Sequence, residues 1–288
     1  MSRIAYANGR YIRQYNAAVN IEDRGYQFAD GVYEVIAVSQ GRWVDGEQHM
    51  DRLARSLDGL KIAWPCERHV LPLIMNRVLR RNRIDQGFIY LQITRGVAPR
   101  NHAFPMRGTG SSLVVTAKPK KLPSSSFIKK GAKVITVSES RWSRPDIKSV
   151  SLLPNVLAKQ EAVEKGAYEA WFVDEAGQVT EGSSTNAWIV LDGKEIVTRP
   201  LSHNILAGIT RNMVLKLARG NNLKVSERPF TLEEALAAKE AFLTSTTSFV
   251  MPVVSIDETP IGDGTPGDVT LQLFDAYQRH VDQVSHDQ

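Results

Sequence analysis

Lys118-Pro119-Lys120-Lys121-Leu122-Pro123-Ser124-Ser125-Ser126 interrupts the chain with a run of lysine, proline and serine. Neither helical nor strand periodicity survives that composition, so the stretch reads as a linker. It divides the 288 residues into a small N-terminal domain over 1–118, a linker over 119–127 and a larger C-terminal domain over 128–288. A chain of this length suits two medium domains, each with its own core.

Upstream of the linker, Asn8-Gly9 is a hairpin signal between two strand-like runs. Residues 31–38 (GVYEVIAV) read as a buried strand, with Gln40-Gly41 as the turn into the next. Met50, Leu53, Leu57 and Leu60 recur at helical spacing and predict a helix over 49–60. A second helix follows over 70–79, then strands over 88–95 and 112–117. Downstream, residues 133–137 read as a strand. Residues 154–165 read as a helix, with Pro154 in its first turn and Gly166 as its stop. Strands over 170–174 and 186–191 flank a turn over 175–178. Helices over 210–218 and 232–237 and a strand over 240–244 complete the reading. Both units are therefore expected to be α+β.

Hydrophobic residues make up 42% and charged residues 23%, ordinary globular values. One cysteine, Cys66, cannot form an internal disulfide, which fits a reducing compartment. Met1-Ser2-Arg3-Ile4-Ala5-Tyr6 carries no apolar h-region and no run is long enough to span a membrane, so a cytoplasmic protein is expected. The net charge is +5, but the basic residues are mixed with acids. The clusters Arg80-Arg81-Arg83 and Lys118 to Lys121 lack interleaved aromatics, so they read as solvated surface rather than a nucleic-acid site.

Few residues claim chemistry by spacing alone. His49, His69, His102, His203, His280 and His286 are dispersed, with no HExxH or paired-cysteine spacing, so no metal site is expected. GxGxxG, P-loop and GxSxG patterns are absent. Gly208-Ile209-Thr210-Arg211 opens a helix, where free N–H groups favour an anion; an ordinary N-cap at Thr210 fits equally well. Thr244-Ser245-Thr246-Thr247-Ser248 is either a phosphate-binding turn or a polar loop. Glu181-Gly182-Ser183-Ser184-Thr185-Asn186 sets a carboxylate beside small residues that admit a flat ligand, or is a plain hairpin connection. In Asp146-Ile147-Lys148-Ser149, the amine suits Schiff-base chemistry if desolvated. Spacing does not select Lys148 over Lys159 or Lys165.

In this order, from Glu22-Asp23-Arg24-Gly25-Tyr26-Gln27-Phe28 to Thr244-Ser245-Thr246-Thr247-Ser248, the segments resemble the fold-type IV pyridoxal 5'-phosphate (PLP) enzymes, and among them the D-amino acid aminotransferases. The resemblance implies a small α/β domain plus a larger β-barrel-like α/β domain. It implies that Lys148 holds PLP as a Schiff base and moves the substrate proton, and that Glu181 pairs with the pyridinium nitrogen. Arg52, Ile209, Thr210, Ser245 and Thr246 correspond to the phosphate cup, and Leu206 to the apolar residue against the ring.

Thr94-Arg95-Gly96-Val97-Ala98-Pro99-Arg100-Asn101-His102 resembles the loop of the D-specific enzymes. Arg100 and His102, with Tyr33, then hold the substrate α-carboxylate. In the family the arginine and histidine come from the neighbouring subunit, which implies a homodimer. Thr185 stands where serine is common, and residues 150–155 also depart from the family form. The lysine and phosphate cup are shared by branched-chain L-aminotransferases, (R)-amine transaminases and aminodeoxychorismate lyases, which remain alternatives. A non-catalytic module binding a phosphorylated ligand is the alternative of another class.

Overall fold

The structure, a computed structural model, describes residues 3–106 and 108–284. Met1, Ser2 and His286, which entered the sequence reading, lie outside them. Among the described residues, no helix is long and apolar enough to cross a membrane. Chain contacts separate two units. The first holds residues 3–122 and Ile147–Ser151; the second holds Pro123–Asp146 and Leu152–Gln283.

In the first unit, β1 (Ile4–Ala7), β2 (Arg10–Arg13), α1 (Arg24–Phe28), β3 (Gly31–Ser39), β4 (Arg42–Trp43), α2 (Gly46–Leu60), α3 (Val70–Asn82), β5 (Gly87–Thr94) and β6 (Ser112–Pro119) follow in order. The strands form one antiparallel sheet, ordered β2-β1-β6-β5-β3-β4. Positive φ at Asn8 and Gly9 makes the expected tight turn between β1 and β2. Leu53 and Leu57 of α2 and Leu71, Met75 and Val78 of α3 pack with Val32, Ile36, Ile89 and Leu91 of the sheet. The expected linker is not all irregular, since Lys118 and Pro119 still pair with Phe88 and Gly87.

Ile147–Ser151 joins this unit for a reason visible in its alternation. The Ile147 side chain is buried in the first core, where a Cβ added at Gly59 would meet its Cδ1 at 2.9 Å. The next residues lie along the edge of β3: the Tyr33 N–H donates to the Lys148 carbonyl at 3.0 Å, and the Val150 N–H to the Gly31 carbonyl at 3.0 Å. One apolar side chain thus carries the lysine segment into the first unit.

The second unit contains α4 (Ser125–Ile128), β7 (Ala132–Ser138), α5 (Leu153–Glu164), β8 (Glu169–Val173), β9 (Val179–Gly182), β10 (Asn186–Val190), β11 (Ile196–Thr198), α6 (Ile209–Gly220), β12 (Val225–Glu227), α7 (Leu232–Leu236), β13 (Glu240–Ser245), β14 (Phe249–Ile256), β15 (Thr259–Pro260) and α8 (Asp268–Val284). Its strand order is β12-β11-β10-β13-β14-β7-β8-β9, with β15 on β14. Strand β9 ends this order, yet only Ser183-Ser184-Thr185 separates it from β10 near the other end. A connection that short requires the sheet to curl back on itself. The expected barrel-like unit arises in this way, with Trp171, Phe172, Trp188 and Phe242 fully buried.

Candidate active site

Each unit presents its own set of functional side chains. In the first, His49, Arg52 and Ser56 recur every three to four residues along α2 and form a polar stripe that is nevertheless buried. Glu34 on β3 meets this stripe. Its carboxylate takes Arg52 through Nε at 2.7 Å and Nη2 at 2.8 Å, and His49 Nδ1 at 2.8 Å. Burial pushes the Glu34 carboxyl up, but Arg52 and His49 outweigh it and hold it well below the usual carboxylate range. Burial holds His49 below the usual histidine range. One turn further, Ser56 Oγ accepts from the Lys148 N–H at 3.2 Å. Lys148 is half-buried, with its Nζ 4.2 Å from the centroid of the Tyr33 ring. The structure therefore brings Arg52, Tyr33 and Lys148 onto adjoining elements of one unit.

Arg100 and His102 lie on an exposed loop after β5. The Arg100 guanidinium carbon sits 4.7 Å from the Phe28 ring centroid, and the His102 ring 5.3 Å from the same ring. Beneath the loop, buried Arg24 donates from Nη1 to the Asn101 carbonyl at 2.6 Å and the Ala103 carbonyl at 3.2 Å, and from Nη2 to the His102 carbonyl at 3.4 Å. Asp30 anchors Arg24 at 2.8 Å and Arg95 at 2.7 Å. Burial opposes the Asp30 charge, but Arg95 and Arg24 hold its carboxyl below the ordinary range.

The second unit carries Glu181 on β9, so of the two readings of residues 181–186 the plain hairpin connection with a solvated glutamate does not hold. At four residues, β9 is too short to show an alternating pattern of its own. Glu181 is buried and ion-paired to Arg141. It also accepts from Asn186 Nδ2 at 2.9 Å and from the Leu206 N–H at 3.1 Å. Burial raises its carboxyl above the usual range, against the pull of Arg141 and the Leu206 amide. Arg141 is held by Glu139 as well, at 2.7 Å. Burial works against the Arg141 charge, yet the two carboxylates raise its pKa. The carboxylate is thus fixed between a guanidinium and a backbone amide as an acceptor, the role a pyridine nitrogen requires of it.

Gly208 precedes α6 with extended backbone and no side-chain cap, so Thr210 is not the N-cap. The Thr210 hydroxyl lies 3.5 Å from that of Tyr277. Ser245 Oγ accepts from the Ser248 N–H at 3.0 Å, closing the turn after β13 that includes Thr246. An uncapped 12-residue helix and a hydroxyl turn suit a phosphate. In the 183–185 turn, buried Thr185 Oγ1 has no hydrogen-bond partner. An orphaned polar atom beside the Glu181 strand fits a site that receives a polar ligand. Taken by itself, the second unit offers groups that fit the phosphate and ring nitrogen of PLP; taken by itself, the first offers the amine of Lys148.

Arg24, Glu34, Glu139 and Arg141 were not singled out in the sequence. Their long-range partners were the missing signal, because arginines and glutamates default to the solvated surface in a one-dimensional reading.

Comparison with known proteins agrees with this chemistry. The family described as Amino-transferase class IV matches residues 31–256. The chain belongs to that family, the fold-type IV PLP-dependent aminotransferases. It is similar to the D-alanine aminotransferase of Bacillus licheniformis, 41% identical over 280 residues that cover 95% of each chain. It is also similar to the D-alanine aminotransferase of Staphylococcus aureus (strain N315), 38% identical over 283 residues covering 97% of this chain and 98% of that one. Among solved structures, the branched-chain amino acid aminotransferase of Thermobaculum terrenum in its PLP form superposes with a TM-score of 0.82 at 26% identity, covering 97% of this chain and 94% of that one.

Proposed function

We propose that this aminotransferase moves an amino group between a D-amino acid and a 2-oxo acid, with D-alanine and 2-oxoglutarate as the substrate pair. The observation that supports it is the pair Arg100 and His102, set against one ring and open to an anion. The two relatives named D-alanine aminotransferase, at 41% and 38% identity, favour it over the branched-chain reading, whose solved structures include matches at 26% and 29%.

Bound PLP supplies an electron sink for the electron pair left when the substrate Cα–H bond breaks. Lys148 Nζ carries the Cα proton, first as base and then as acid. Glu181 would pair with the ring nitrogen, and Leu206 would pack on the ring. Ile209, Thr210, Ser245 and Thr246 would hold the phosphate by hydroxyl and backbone N–H groups, the role in which the family resemblance also casts the Arg52 guanidinium. Arg100, His102 and Tyr33 hold the α-carboxylate; a guanidinium fork fixes its orientation as well as its position. Arg100 and His102 serve the neighbouring protomer of a homodimer. With its single cysteine reduced, the enzyme works in the cytoplasm.

A panel of D- and L-amino acids with 2-oxoglutarate tests this reading. D-alanine turns over, and Arg100→Ala raises its KM about 10- to 100-fold, the worth of a charge-assisted hydrogen bond. Turnover of L-leucine without D-alanine rejects it.

A further inference from the structure

Helix α1 carries two residues, four apart, that grip the loop of Arg100 and His102 from two directions. Arg24, 3% exposed, gathers the three successive carbonyls of Asn101, His102 and Ala103. Three acceptors converging on one buried guanidinium fix the path of a loop that makes no strand or helix of its own. The guanidinium is in turn fixed by Asp30, which also holds Arg95, and Arg95 donates to the Leu60 and Lys61 carbonyls at 2.7 and 2.8 Å. The loop is therefore tied to the end of α2 through a continuous set of charged hydrogen bonds.

Phe28 acts on the side chains. Both Arg100 and Arg24 stack on its ring, with guanidinium carbons 4.7 and 4.9 Å from the centroid, and the His102 ring lies 5.3 Å away. A free arginine on an exposed loop samples many rotamers and loses that freedom when a carboxylate binds. A ring already stacked against the guanidinium removes part of that cost. We propose that Arg24 and Phe28 are positioning residues that preorganise Arg100 and His102 for the substrate carboxylate, Arg24 through the loop backbone and Phe28 through the side chains. The inference rests on the reading of Arg100 and His102 as the carboxylate trap.

The test uses holoenzyme and propionate, a carboxylate with no amine, as competitive inhibitor against D-alanine. Phe28→Leu raises the propionate inhibition constant and the D-alanine KM about three- to fivefold, the worth of a cation–π contact at an exposed site. It leaves kcat and the cofactor absorbance band within about twofold of wild type, which a general folding defect would not. Phe28→Tyr keeps the ring and restores both constants. Combined with Arg100→Ala, Phe28→Leu adds less than it does alone, because the two share one interaction and, within the trap, only the His102 contact remains to be lost. Arg24→Lys, which keeps the charge for Asp30 but cannot reach three carbonyls, shifts the same two constants. If Arg100→Ala weakens propionate while Phe28→Leu and Arg24→Lys leave it unchanged, the positioning role is refuted and the trap stands. If Arg100→Ala itself leaves propionate unchanged, the trap reading fails and the inference falls with it.

Discussion

Replacing Glu34 with glutamine tests whether the polar stripe of α2 is held by charge or only by shape. Glutamine keeps the volume and some hydrogen bonding but removes the negative charge facing Arg52 and His49. The pair is deeply enclosed, with the Arg52 and Glu34 side chains 5% and 1% exposed. Breaking a buried pair from one side costs about 3–5 kcal/mol, because the remaining charge stays desolvated. Glutamine retains an acceptor, so the lower end applies, about 3 kcal/mol. At about 2–4 °C per kcal/mol for chains of this order, Tm of the apoprotein falls by about 6–12 °C. Calorimetry of the apoprotein at pH 7.5 reads this directly. Inorganic phosphate then raises Tm more in Glu34→Gln than in wild type, since the uncompensated Arg52 gains an anion. Adding Arg52→Met to Glu34→Gln recovers much of the apoprotein's stability by removing the stranded charge. A Tm loss below about 2 °C, corresponding to less than about 1 kcal/mol, refutes the claim that this pair is electrostatically coupled.

The same network dictates the sign of the acid response. His49 is held below its ordinary value of 6.5 and Glu34 below 4.5, so the unfolded chain binds protons that the folded one refuses. Stability then falls as pH drops below about 6.5 and again below about 4.5, and Glu34→Gln flattens the second loss in an acid titration followed by circular dichroism. Glu181→Gln keeps the cofactor band but lowers kcat about 10²- to 10³-fold in steady-state assays, the usual cost of one preorganised charge. Unchanged kcat would remove Glu181 from the ring nitrogen. Gly208→Ala puts a methyl 2.0 Å from Asn186 Oδ1 and displaces the amide that serves Glu181 and, at 3.0 Å, the Leu206 carbonyl. Thermal melts should show a loss of about 1–3 kcal/mol, and PLP titration a weaker affinity.

Local pattern and long-range burial explain which features were readable from the chain. Periodic elements such as α2 and β3 announced themselves, because a core face repeats along the element that makes it. Strand β14 did not. Pro252 demotes such a run, yet here it sits between β13 and β7, just before the register shift between Val253 and Ser255. A displaced ladder tolerates a residue without an N–H. Helix α8 carries the same kind of signal as α2: Val269, Leu273, Phe274, Tyr277 and Val281 are buried at helical spacing.

For the site, the division is sharper. Lys148 is one of many lysines by spacing, and what sets it apart is its neighbours. Ile147 enters the first core and Ser149 is buried, so the intervening lysine is turned the other way, to Tyr33. A reader of the chain alone sees that alternation but not the surface it alternates against. Glu181 shows the same limit from the other side. Its supporting groups, Arg141 and Leu206, lie 40 and 25 residues away. No window of sequence contains the three together. The carboxylate's surroundings are products of the curled sheet, which returns β9 to β10: burial raises its pKa, while the Leu206 amide and Arg141 guanidinium pull the other way. The residue types of this chemistry can be read one by one, whereas the environment that makes each reactive exists only once the fold has closed around it.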